Sequence, residues 1–189
     1  MQTGKLLLHK KTILIVLPLF IVSYLLFLAT WLYVKDSYAQ GITYIASKAV
    51  AGIKGARFER MEYHKDEIEL TFSPLRQSRM LIDIPVKTSS YTFNAPLTFA
   101  IIVAMCPFMK RRSRAVAEAL IILVGVHLLY VGSLEAKLLT DILTDSGLEA
   151  RGTLSAYVYE FLWSFTDNMV IRFEPFLIGF YLFVRFRVS

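Results

Sequence analysis

Cysteine is almost missing from this chain: Cys106 stands alone among 189 residues, so neither an internal disulfide nor a cysteine-rich metal cluster can form. Charge is sparse as well, at 19% of residues against about 25% in an ordinary soluble domain. No HExxH, GxSxG, Walker loop or Cys–His ligand spacing occurs, which removes the sequence-readable routes to zinc, serine and nucleotide chemistry. Disorder is excluded by a 56% hydrophobic composition and a mean hydropathy of +0.52. What is present is apolar sequence gathered into long blocks separated by charges, the pattern of a chain whose solvent is a bilayer.

The first block, Ile13 to Val34, runs ILIVLPLFIVSYLLFLATWLYV without one ionisable acid or base. At about 1.5 Å per residue it reaches roughly 33 Å, enough for a hydrocarbon core of about 30 Å. It is too long for a secretory h-region of about 7–15 residues and lacks a small-residue cleavage pattern, so it reads as an uncleaved anchor. Further spans are expected at Pro96–Met109, at Ala115–Gly132 and at about Asn168–Val184. Asn94 is placed to cap the second, and Pro96 is tolerable in its first turn.

Charge orients the bundle. Lys5, Lys10 and Lys11, then Lys110, Arg111, Arg112 and Arg114, then Arg185 and Arg187 make three basic segments with no acid. The positive-inside rule puts these segments, and so both termini, in the cytoplasm. KRRSR is then a topology signal, and no nucleic-acid partner is expected.

Between the first two spans, Lys35 to Tyr91 is long enough to fold as a cap. Ile42, Ile45, Ala49 and Ile53 at helical spacing suggest a helix over Tyr38–Lys54 lying at the membrane surface or on the cap. Three strands follow. Arg57–Tyr63 alternates imperfectly, Glu67–Phe72 alternates cleanly through Ile68, Leu70 and Phe72, and Met80–Val86 carries Pro85, the mark of an edge. The fold class is therefore a membrane α-helical protein: a four-helix transmembrane bundle with a small extracytoplasmic α/β cap of three strands. So small a meander needs support from the bundle or a partner, and strand addition through Ile68, Leu70 and Phe72 is one route to a partner.

Chemistry-bearing residues are few. Glu160, Asp167 and Glu174 recur every seven residues, a candidate acidic seam for a partner along one helix stripe. Inside the third span lie Glu118, one turn from Arg114 and suited to pair with it, and His127, whose candidate partners are Glu160, Asp167 and Arg172. Glu174 and Arg172, near the outer interface, are expected to snorkel to water. Cys106 sits at the cytoplasmic end of span two, whereas His127 lies about 20 Å along span three from the cytoplasmic arginines, so the two cannot form a nucleophile–base pair. No cofactor and no metal site are expected.

The anchor, the β-rich outer cap, the Tyr91-x-Phe93-Asn94-Ala95-Pro96-Leu97 entry into span two, the basic inner link and the final segment with Ala156-Tyr157, Glu160-Phe161, Pro175 and Arg185 resemble the exosortase-associated membrane proteins, particularly those accompanying exosortase H. The resemblance implies an accessory of an envelope protein-sorting system, not the transpeptidase itself. An exosortase uses a membrane-embedded cysteine, arginine and histidine facing outward, and Cys106 is at the wrong depth for that role. The expectation is a non-enzymatic accessory subunit in contact with lipid and with another membrane protein. The rival is a small outer-leaflet enzyme using His127 with Glu160, Asp167 or Arg172.

Overall fold

A computed structural model describes residues 10–75, 77 and 79–187, with the side chains of residues 10–13 excepted. Lys5 thus lies outside the described residues, and of Lys10 and Lys11 only the backbone is described. Helix α1 runs unbroken from Lys10 to Lys54, 45 residues and about 67 Å. The separate surface helix expected over Tyr38–Lys54 does not exist as such. Nothing between Val34 and Tyr38 breaks a helix, so the anchor simply continues out of the apolar region. The face it buries also differs: Ala39, Ile42, Thr43, Ala46, Ser47 and Val50 are covered, while Ile45 and Ile53 are 55% and 69% exposed. Small side chains let other elements approach α1 closely on that face. Gly55, at φ +59, ends the helix where a β-carbon would be strained.

Strands β1 (Ala56–His64), β2 (Glu67–Pro74) and β3 (Ile82–Lys87) form an antiparallel meander in the order β1-β2-β3. The imperfect alternation of β1 has a physical cause. A bulge between Phe58 and Arg60 shifts the register, so Phe58, Met61 and Tyr63 pack toward the core. Pro85 lies in β3, an edge strand as expected. The inner face of the sheet, Ile68, Leu70, Phe72, Ile82, Ile84 and Val86, is 0–2% exposed. It packs with Ile42, Ala46 and Val50 of α1 and with the C-terminal part of the next long helix through Leu139 and Leu143. Burying this face against two helices supplies the core that three strands alone would lack.

A short helix α2 (Ser89–Thr92) leads into α3 (Ala95–Met105), a 3-10 turn (Cys106–Phe108) and α4 (Arg112–Asp145). Helix α5 (Leu154–Phe165) passes through a π-helical turn (Thr166–Val170) directly into α6 (Ile171–Phe186). Three helical segments, Leu14–Lys54, Ser89–Phe108 and Arg112–Asp145, are long and apolar enough to cross a membrane. The molecule is thus a mostly helical membrane protein with a small antiparallel sheet. The expected fourth span corresponds to the π turn and α6, whose 16 residues contain Glu174 and Pro175.

Candidate functional site

The partners of His127 are none of the three candidates, Glu160, Asp167 and Arg172, that its sequence position suggests. His127 Nε2 lies 3.2 Å from Glu174 Oε2, and both side chains are 0% exposed. Its other ring nitrogen, Nδ1, is 2.7 Å from the Tyr38 hydroxyl of α1. A chain Tyr38–His127–Glu174 therefore ties α1, α4 and α6 together inside the molecule, with Tyr38 and Tyr91 both edge-on to the imidazole. Tyr91 continues the polar line, its hydroxyl reaching Thr43 Oγ1 at 3.1 Å and donating to the Ala39 carbonyl at 3.2 Å.

The seven-residue acidic stripe does not survive as a seam. An α-helix would keep Glu160, Asp167 and Glu174 nearly aligned, but Thr166–Val170 is wound as a π turn in which the Ile171 N–H reaches back to the Thr166 carbonyl. The extra residue per turn rotates everything after it relative to everything before. Glu160 is left exposed, Asp167 half-buried, and Glu174 is turned inward to His127 at 1% exposure instead of snorkelling to water. Arg172 is exposed and takes no part in the His127 cluster.

Proline explains a second tie. Pro175 has no N–H, so the carbonyl of Ile171, four residues earlier, loses its helical donor. The Asn94 side-chain amide donates to that carbonyl. Asn94 therefore joins α3 to α6 and makes no side-chain cap for its own helix, contrary to the sequence expectation. In apolar surroundings an orphaned carbonyl must find such a substitute donor.

Other expected residues fall into two groups. Ile68, Leu70 and Phe72 are 0% exposed and stand on the central strand, which β1 and β3 pair on both sides, so they offer no free edge for strand addition. At the opposite end, Glu118 does pair with Arg114, at 2.9 Å, and also with Arg185 of α6 at 3.1 Å and with the Tyr181 hydroxyl at 2.8 Å. Lys110, Arg111, Arg112, Arg114, Arg185 and Arg187 are all exposed there, far from the His127 cluster. Cys106 is half-buried at the start of the 3-10 turn that precedes α4, and His127 stands about four turns into that helix.

The sequence reading missed Tyr38 and Glu135. Glu135 is 0% exposed, accepts a hydrogen bond from Ser47 at 2.9 Å and leaves its Oε2 without a hydrogen-bond partner. A signal was present: Glu135 follows His127 by eight residues, which puts both on one face of α4. Glu62, His64 and Glu69 also offer ligand atoms within 4.8 Å of one another on the sheet, a grouping able to hold a cation that the sequence did not suggest. Arg60 already pairs with Glu62 at 3.1 Å, which neutralises part of that charge.

Two apolar openings flank the polar core. One, of about 240 Å³, lies between α4 and α6 with Val126, Leu177, Tyr181 and Glu174 in its wall. The other, of about 250 Å³, lies between α1, α4 and α5 and is lined by Ile45, Ala49, Ile53, Leu129 and Leu162. Of the apolar stripe read from the sequence, Ile45, Ala49 and Ile53 line this groove, whereas Ile42 is buried against the sheet.

Comparison with known proteins returns no matching curated protein and no matching solved structure. The family model for the exosortase H-associated membrane protein does match, over residues 10–186, from the first turn of α1 to the last of α6. Anchor, cap, basic link and aromatic final helix all fall within that match, so the chain belongs to the exosortase H-associated membrane protein family.

Proposed function

We propose that the chain is a non-enzymatic accessory subunit that binds exosortase within the bacterial inner membrane. It crosses four times, with α6 as the last span and both termini in the cytoplasm. Family membership supports the association with an exosortase. The return of α6 to the start of α4, where Met109 and Arg187 form a β-bridge, supports an even number of crossings.

The observation that carries the non-enzymatic reading is the enclosure of Tyr38–His127–Glu174, whose histidine and carboxylate have no exposed side-chain surface. A general base must come within hydrogen-bond reach of its substrate proton, and this one is already engaged on both ring nitrogens. The groove along Ile45, Ala49 and Ile53 is the surface we assign to the partner. Ile45 and Ile53 are 55% and 69% exposed in its wall, an apolar surface that the described residues leave open. Filling the groove with A49W should abolish co-purification of exosortase in mild detergent while membrane levels stay normal; an unchanged complex would remove the groove from the reading.

A catalytic reading draws on one observation, that Glu174 forms part of the wall of the 240 Å³ pocket. Y38F tests it, because it removes the hydroxyl next to His127 and keeps the ring. An accessory protein should still support sorting; loss of sorting with an intact exosortase complex would favour the enzyme.

A further inference from the structure

We propose that the basic end of the bundle holds the phosphate headgroup of one anionic phospholipid. A pocket of about 320 Å³ is lined there by Lys110, Arg111, Arg114, Arg185 and Arg187 over a floor of Phe186. These cations come from two segments far apart in sequence. The Lys110 N–H donates to the Phe186 carbonyl at 2.7 Å, and the Met109–Arg187 bridge pins the α3–α4 link against the end of α6.

Setting topology requires only that cations lie near the end of a span. It does not require five of them to converge on one concavity, where they repel each other unless an anion intervenes. Glu118 answers two of the five, Arg114 and Arg185, and no acid among the described residues pairs with Lys110, Arg111 or Arg187. Arginine forks match phosphate oxygens in pairs, which favours a phosphate over a simple halide. The first turn of α4 adds to the positive field, with no acid and no side-chain cap.

Lipid is favoured over free phosphate by what adjoins the pocket. Leu120, Ile121, Phe183 and Val184 are 38–72% exposed on α4 and α6 next to it, an apolar surface for acyl chains directly beside the headgroup position. Basic pockets between transmembrane helices on the cytoplasmic side are a recurrent setting for anionic headgroups.

The test is lipid retention by the full chain, purified in detergent, titrated with phosphatidylglycerol, phosphatidylcholine or inorganic phosphate and read by native mass spectrometry. One phosphatidylglycerol should be retained. R111Q and R187Q should each weaken it about fivefold, whereas R112Q, which removes the same charge outside the pocket, should leave it unchanged. The charge-preserving pair R111K/R187K guards against altered topology and should also weaken binding, because lysine lacks the fork. Equal weakening by R112Q would reduce the effect to general charge and overturn the site. So would equal retention of phosphatidylcholine, or binding of inorganic phosphate with no lipid retained.

Discussion

Glu174 and Glu118 are both carboxylates on apolar helices, α6 and α4, and the molecule treats them in opposite ways. Glu118, 20% exposed near the basic end, collects two arginines and a tyrosine that keep their own contact with the surroundings. Glu174 is 0% exposed and has one histidine, itself bound to Tyr38, while its Oε1 has no hydrogen-bond partner. Near an interface, long cationic side chains reach a carboxylate cheaply because their charged heads stay wet. At depth, desolvation makes every added charge costly, so the network is short and depends on each member.

This difference predicts where substitution hurts most. H127L or E174L alone strands a buried polar partner, a loss of about 1–3 kcal/mol. The double variant H127L/E174L, which removes both partners, should recover much of that loss. Thermal unfolding in detergent gives the double-mutant cycle; additive losses would show that the two groups are not coupled. Next in size is N94A, expected to cost about 1 kcal/mol by orphaning the Ile171 carbonyl. Restoring the N–H at position 175 with P175A should suppress the N94A defect. No suppression would mean that Asn94 acts otherwise than as a replacement donor.

Much of the fold was legible and little of the deep cluster was. The meander could be read because strand alternation is local: Ile68, Leu70 and Phe72 announce an inner face whatever lies beneath it. Even the fault in β1 marked a real bulge at Phe58–Arg60. The extent of α1 was misread because a change in composition after Val34 is not a helix breaker. The Glu174 partnership was hidden for a different reason. Heptad counting assumes 3.6 residues per turn, and the π turn at Thr166–Val170 breaks that assumption without an evident sequence mark. Asn94 was assigned to its own helix because a local cap is the cheaper guess, although Pro175 already implied a carbonyl in need of a donor.

Between the deep cluster and the rim stands the tie from cap to helix. Tyr63 donates to Asp36 Oδ1 at 2.6 Å. Burial first, then this hydrogen bond and the Asp36 charge, push its hydroxyl from the usual 10 up to about 12. A raised folded-state value means that the contribution is complete below pH 10 and is lost as pH climbs through 12. Attachment of the cap, followed by limited proteolysis, should weaken across that window. Y63F should lack this step, and an identical pH profile in Y63F would assign the loss to other groups.

The smallest effect is expected at Glu118. E118Q keeps one acceptor oxygen, for Tyr181 and Arg185, and loses the charge and the acceptor that faces Arg114, at a site partly in contact with the surroundings, where ion pairs contribute little. Thermal stability in detergent should therefore stay close to that of the parent, in contrast to E174L. A loss from E118Q as large as that from E174L would mean that the rim is as dry as the interior. The two carboxylates would then differ only in their partners and not in their dielectric surroundings, and the contrast between depth and edge would fail.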